Sequence, residues 1–305
     1  HLDNSFKPSA ALYDCNPRAI YEGPIKDFLI IKKIPHRKSG PLNVAKATKG
    51  LNSVWASQRR PAEVAIEVVN IISILENNSN LINNVCISLF RRLIKESKNI
   101  EAMTFELEPS FDPNFLFEAC ARLINEAPDS GNTPQKIVAL LLSNFHKGIN
   151  DNIIVTGSED RASVTSTTSK KPGDVNEESI NGHIYKVYEI TVKPFDIPRI
   201  IDSYDCISKY NEFSVEKINE IIVICRPSDC PIEMQKTNRV QYLGYYKYND
   251  IIYYYVDIYE WISSKLLEST KDARNNFYIA LNDYINDINT SRAVKKLWLE
   301  LNSKG

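Results

Sequence analysis

The stretch that decides the fold reads Lys170-Lys171-Pro172-Gly173-Asp174-Val175, then a polar link over 176–182, then His183-Ile184-Tyr185-Lys186-Val187-Tyr188-Glu189-Ile190-Thr191-Val192-Lys193-Pro194. Its second half alternates β-branched and aromatic residues with polar ones, which is the pattern of a strand. Side chains two apart on a strand share a face. Glu189, Thr191 and Lys193 are therefore expected on one face, and Tyr188, Ile190 and Val192 on the other. The polar link is short enough to be a hairpin loop, and such a hairpin brings Asp174 beside Glu189. Two carboxylates and an ammonium on one sheet face form a candidate site for divalent-metal phosphodiester hydrolysis. The alternative is a solvated strand face carrying an ion pair.

Outward from this stretch the order of elements continues in a recognisable way. Asp196-Ile197-Pro198-Arg199 is a helix start, and Ile200, Tyr204, Ile207 and Tyr210 follow at helical spacing. Residues 218–225 are nearly all apolar, the mark of a strand buried on both faces. Strand, helix and strand in such a span predict a crossover unit with parallel strands.

An acid, a hairpin, a second acid on the next strand, then helix and strand: this resembles the PD-(D/E)XK nuclease superfamily, and within it the type II restriction endonucleases. The resemblance covers roughly 161–231. Pro172-Gly173-Asp174 stands where the family has its first acid and Glu189 where it has its second. The family's lysine position, two after the second acid, is Thr191 here, and the lysine is Lys193. On a regular strand these two lie about 7 Å apart, at about 3.3 Å per residue. The resemblance implies Asp174, Glu189 and Lys193 as catalytic residues. It also implies Mg²⁺ held by Asp174, Glu189 and the main-chain carbonyl of Ile190. A further acid from the helical half often completes such sites, and Glu118 is named as a candidate without a spacing argument. The implied fold class is α/β (α+β), a central mixed β-sheet of the restriction-endonuclease type flanked by helices, with a largely helical N-terminal half. The implied partners are double-stranded DNA and a second copy of the chain, because enzymes that cut palindromes act as two-fold dimers.

The whole-chain numbers bound the class without choosing a function. With 305 residues the chain can bury one large core or two smaller ones. A formal net charge of -1 does not announce a nucleic-acid protein, so local charge matters more than the sum. The six cysteines, Cys15, Cys86, Cys120, Cys206, Cys225 and Cys230, form no Cys-X-X-Cys pair, and the closest two lack partners for a zinc site. Small buried thiols in a reduced, cytoplasmic protein are expected. No apolar run approaches a membrane span and no signal-peptide pattern is read at the start. Walker, Rossmann and Gly-X-Ser-X-Gly motifs are missing from the sequence, and His1, His36, His146 and His183 show no metal spacing.

The N-terminal part carries the strongest local charge. Residues 28–62 hold Lys32, Lys33, Arg37, Lys38, Lys46, Lys49, Arg59 and Arg60 without one Asp or Glu. Interspersed with Asn43, Asn52, Ser57 and Gln58, this segment is suited to phosphates and base edges. Lys32, Lys33, Arg37, Lys38, Arg59 and Arg60, with Lys170 and Lys171 before the first acid, are the candidate DNA contacts. The competing reading is a solvated basic face paired with acids elsewhere. Helices are expected over 43–56, 62–75, 81–97, 114–126 and 135–145, a strand or loose segment over 101–108, and a short strand over 152–156. The expected division is thus a helical region 1–150 and a nuclease core 151–305 with its catalytic hairpin at 170–193. Beyond Pro231, runs 240–248 and 251–257 alternate around Asn249-Asp250, a hairpin. Its tyrosines serve either to stack on bases or to fill a sheet face. Helices over 258–267, 273–289 and 291–301 close the chain, with Trp261 and Trp298 as anchors.

The expected function is a Mg²⁺-dependent, site-specific double-stranded DNA endonuclease of restriction type. The rival expectation is a nuclease-fold protein of repair or phage defence that binds DNA without catalysis or without sequence specificity.

Overall fold

The apolar run expected as a doubly buried strand forms the centre of a sheet. In a computed structural model, Glu220–Cys225 is flanked on both sides by parallel strands, and Ile221, Val223, Ile224 and Cys225 are fully buried. Each such side chain contributes about 1.5–3 kcal/mol of hydrophobic stabilisation. The structure describes residues 7–11, 20–36, 50–59, 61–104, 107–157 and 172–303. The chain divides into two compact units, His1–Thr104 and Phe105–Gly305.

The first unit is helical among its described residues: α1 (Pro8–Ala11), α2 (Lys26–Ile31), α3 (Ser53–Ser57), α4 (Ala62–Asn77) and α5 (Ile82–Glu101). Two small apolar clusters hold it. Tyr21, Leu29 and Ile34 meet Leu93 and Ile94 of α5, and Leu51 meets Trp55 and Ile72. Of the helix expected over 43–56 only its end is found, as α3, and 41–49 lie outside the described residues. Pro61 precedes α4 in extended conformation rather than occupying its first turn. Helix α5 runs on through Glu101, so the segment expected to start at 101 as a strand or loose piece begins as helix.

The second unit has three layers. Its helices are α6 (Pro113–Glu126), α7 (Asn132–Ile149), α8 (Ile197–Phe213), α9 (Ile258–Glu268), α10 (Lys271–Asn286) and α11 (Arg292–Asn302). Its strands are β1 (Ile154–Thr156), β2 (Val175–Glu178), β3 (Ile184–Ile190), β4 (Glu220–Cys225), β5 (Gln235–Lys236), β6 (Tyr242–Tyr248) and β7 (Ile251–Asp257). Among the described residues they form one seven-stranded mixed sheet in the order β1-β2-β3-β4-β7-β6-β5. β1, β2 and β3 are antiparallel neighbours, β3, β4 and β7 are parallel, and β6 and β5 return antiparallel. The protein is therefore mixed α/β.

Alternation along β3 sorts the two faces. Tyr188 and Ile190 join Val175 and Ile224 in a core built with α6, α7, α9, α10 and α11, where Trp298 is fully buried. Val187 faces the other way, into a core with Ile200 and Ile207 of α8 and with Tyr253 and Tyr255 of β7. Those two tyrosines are fully buried, so they fill a sheet face and do not stack on bases. Helices α6 and α7 belong to the sheet's core, which moves the boundary expected at 150 back to 104. Among the described residues no helix is long and apolar enough to cross a membrane.

Candidate active site

The residues just before β2 run antiparallel to the end of β3, and this places the two acids. Val175 pairs with Tyr188, so Asp174, one residue earlier, comes level with Glu189. Gly173 allows the approach, since a Cβ there would meet Val187 Cγ1 at 2.5 Å and the Tyr188 carbonyl oxygen at 2.9 Å. Asp174 Oδ2 accepts a hydrogen bond from the Ile190 amide at 3.0 Å. The carboxyl groups of Asp174 and Glu189 are near enough to affect each other's ionisation. Glu189 is buried, and the Ser203 hydroxyl of α8 donates to its Oε1 at 3.2 Å.

Electrostatics set both acids apart from ordinary carboxyls. Loss of water pushes Glu189 well above the usual carboxylate range, and the negative charge of Asp174 pushes it further, against the pull of Arg199 and Ser203. Asp174 is also raised by burial, while the Ile190 amide, Arg199 and Glu189 act in the opposite direction. The cation that both acids feel is thus Arg199, in the first turn of α8. Asp196 caps this helix by accepting from the Arg199 amide at 3.4 Å. The Arg199 guanidinium donates to the Thr191 hydroxyl at 2.5 Å and lies 4.9 Å from the centre of the Phe195 ring.

Lys193 lies beyond the end of the strand. β3 ends at Ile190, so the regular strand face expected to carry Glu189, Thr191 and Lys193 together stops before its last two members. The Thr191 hydroxyl accepts from the Lys193 amide at 3.0 Å, which folds 191–193 into a bend, and Lys193 is exposed there. The reason is local: a threonine hydroxyl competes for the backbone groups that a strand would use, and Pro194 cannot donate to a ladder. At Ile190 the N–H meets Asp174. Glu118 is exposed on α6, a helix of the opposite core.

On that opposite face lies a second set of polar side chains that the sequence reading did not anticipate. Buried His146 of α7 meets Asp151 through Nδ1 at 2.6 Å and Glu177 Oε1 through Nε2 at 3.2 Å. The Tyr188 hydroxyl donates to Glu177 Oε1 at 2.8 Å, and Lys186 Nζ lies 3.5 Å from Oε2. Burial, then the charge of Glu177, raise the Tyr188 phenol. Burial also raises Asp151, but the bond to His146 and the Ile153 amide outweigh it and leave the group below the usual range. Alternate residues of β2 and β3 generate these two sites on opposite faces, and the polar Glu177 was legible only as part of a hairpin.

The candidate DNA contacts are distributed unevenly. Lys32 is exposed, Lys33 is paired with Glu101 at 2.5 Å, and Arg59 folds over the Trp55 ring at 5.8 Å, all in the first unit. Arg37, Lys38, Arg60, Lys170 and Lys171 lie outside the described residues. His183 pairs with Glu216 at 3.0 Å at the far end of β3. Among the described residues no group of three or more His, Cys, Asp or Glu side chains is arranged to hold a metal ion, so the candidate site rests on two carboxyls. No model of a known protein family matches the chain, and no curated protein matches it.

Proposed function

We propose that the second unit is a Mg²⁺-dependent endonuclease that hydrolyses phosphodiester bonds of double-stranded DNA, of restriction type and acting as a homodimer. One observation carries the reading: the β2–β3 hairpin sets Asp174 level with Glu189 at the end of β3, near enough that each acid affects the other's ionisation and that Arg199 acts on both. The order acid, hairpin, acid, helix, parallel strand is the one that the resemblance to PD-(D/E)XK nucleases requires.

The donor set fits a hard divalent cation, because it offers oxygens only and because burial raises both acids and the charge of Asp174 raises Glu189 further, a cost that a bound cation relieves. Asp174 and Glu189 would hold the ion. Such an ion lowers the pKa of a bound water and neutralises charge on a scissile phosphate. The Ile190 amide fixes Asp174, and Ser203 fixes Glu189, so neither carboxyl has to reorganise when it binds. Arg199, held by Thr191 and Phe195, takes the part of the missing strand lysine and places a permanent positive charge beside the acids.

A second reading has one observation in its favour. Thr191 stands in the lysine position and engages Arg199, which also suits a nuclease-fold protein that binds DNA without cutting it. Incubation with phage DNA and Mg²⁺, followed by sequencing of the ends, separates the two. Discrete ends support restriction-type cleavage, random ends indicate cutting without a fixed site, and intact DNA bound by the protein supports the second reading.

A further inference from the structure

The bend that follows Glu189 is clamped by a loop that begins and ends in cysteine. Cys225 closes β4 and Cys230 follows the short helical turn Pro227–Asp229. Their sulfurs lie 3.7 Å apart, both as free thiols. Between them, Arg226 grips the Asp229 carboxylate through Nε at 2.7 Å and donates from Nη2 to the Val192 carbonyl at 2.6 Å. The Asp229 carbonyl accepts from the Phe195 amide at 2.8 Å, and the Ile224 carbonyl accepts from the Thr191 amide at 3.0 Å. The segment 191–195, which carries Thr191 and the Phe195 ring against Arg199, thus hangs on 224–229.

We propose that Cys225 and Cys230 form a redox-sensitive dithiol, oxidised to a disulfide by a low-molecular-weight disulfide, and that this closure loosens the 191–195 bend and with it Arg199. Two features set these thiols apart from inert buried ones. Cys225 is fully buried while Cys230 is partly accessible, so one sulfur is open to an oxidant and the other lies behind it. The bond from Cys225 lowers the Cys230 thiol below its ordinary pKa, and that bond with burial raises Cys225, which separates an attacking thiol from a resolving one. The fully buried Tyr255 hydroxyl, which has no hydrogen-bond partner among the described residues, lies near enough for both sulfurs to influence it.

The chemistry balances without further reactants. The Cys230 thiolate attacks one sulfur of the small disulfide and expels its first thiolate, which takes up the Cys230 proton. Cys225 then attacks the Cys230 sulfur, expels the second thiolate and passes its own proton to it. The protein dithiol loses two electrons and the small disulfide gains them. Closure brings the sulfurs about 1.7 Å nearer than their 3.7 Å separation, to the length of an S–S bond. Cys225 is fixed in the sheet opposite Asp257, so Cys230 makes the move. Asp229, its neighbour, shifts with it and lengthens the bond to the Phe195 amide.

The consequence for cleavage rests on the endonuclease reading above; the disulfide and its effect on the bend do not. The test treats the full chain with oxidised glutathione and follows three readouts. Peptide masses locate the bond, backbone hydrogen exchange reports on 191–195, and DNA cleavage is measured in parallel. The expected result is a Cys225–Cys230 disulfide reversed by a dithiol reductant, with exchange at the Phe195 amide roughly tenfold faster, as for the removal of one net hydrogen bond. Cys230→Ala and Cys230→Ser should both keep the slow exchange under oxidant. A glutathione adduct that stays on Cys230 without closing, or a disulfide that leaves exchange unchanged, overturns the proposal. If the reduced protein does not cut DNA, the endonuclease reading fails while masses and exchange still decide the dithiol.

Discussion

Replacing Glu189 by Gln removes a charge that the fold holds at a cost, so the variant should be more stable than the parent when no divalent ion is bound. Like charges in contact repel by about 4 kcal/mol at an effective dielectric of about 20, and the attraction of a nearby guanidinium is of similar size. For Glu189 the Asp174 repulsion outweighs the Arg199 attraction, so losing both does not destabilise the variant. What remains is the avoided desolvation of a buried carboxylate, about 2 kcal/mol, since the Gln oxygen can still accept from Ser203. In a unit of this size that corresponds to a rise in Tm of about 4–8 °C. The sign with pH follows from the direction of the shifts. Both acids are raised above their ordinary values of 3.8 and 4.5, so the stability they contribute is complete below those values and is lost as pH rises through the folded ones. The gain from Glu189→Gln should thus be large near about pH 8 and small near about pH 4. Calorimetry in chelator and in excess Mg²⁺ or Ca²⁺ measures it. The ion should raise the parent's Tm, by about 2.7 kcal/mol of stability at a hundred times Kd, and leave the variant's unchanged. A variant less stable than the parent at both pH values, or stabilised equally by the ion, would show that Glu189 is neither held at a cost nor part of an ion site.

Further outcomes follow from the same geometry. Arg199→Ala should cost about 10²–10³-fold in cleavage rate, the size of one charge-stabilising donor removed, with Lys193→Ala near the parent's rate; the reverse ranking in a plasmid assay returns the catalytic charge to Lys193. Neutralising Lys32, Lys33, Arg37 and Lys38 together should flatten the salt dependence of DNA binding by about 0.9 in log–log slope for each phosphate no longer neutralised. An unchanged slope makes this a solvated face paired with acids such as Glu101. His146→Ala leaves Glu177 and Asp151 without their shared partner and should lower stability by about 1–3 kcal/mol in denaturant titration; a change inside experimental error means that the network carries no net stabilisation.

Several of these elements were legible in the sequence because their causes are local. The apolar run at 218–225 reads as a strand buried on both faces, and the alternation of 184–190 with a polar link before it gives the hairpin that sets Asp174 level with Glu189. The hairpin around Asn249 was readable for the same reason, and Asn249 takes a positive φ of 51° at its turn. What was missed depends on residues distant in sequence or on where an element stops. Alternation continues through Lys193, but the Thr191 hydroxyl and Pro194 end the strand at Ile190, so Lys193 sits in a bend beyond the regular strand. Arg199 enters the site because the first turn of α8 folds back over the end of β3, a geometry that helical spacing alone does not encode. The boundary at 104 was hidden for a related reason: α6 and α7 read as members of a helical half, and only their packing on the sheet assigns them to the second unit.

The two-carboxyl site is decided by presenting plasmid DNA and Mg²⁺ to the parent, Asp174→Asn and Glu189→Gln proteins, with DNA binding measured in Ca²⁺. Cutting by the parent alone, with binding retained by all three, is the expected outcome. Mg²⁺-dependent cutting by either variant at a rate close to the parent's would contradict the assignment of Asp174 and Glu189 as its centre.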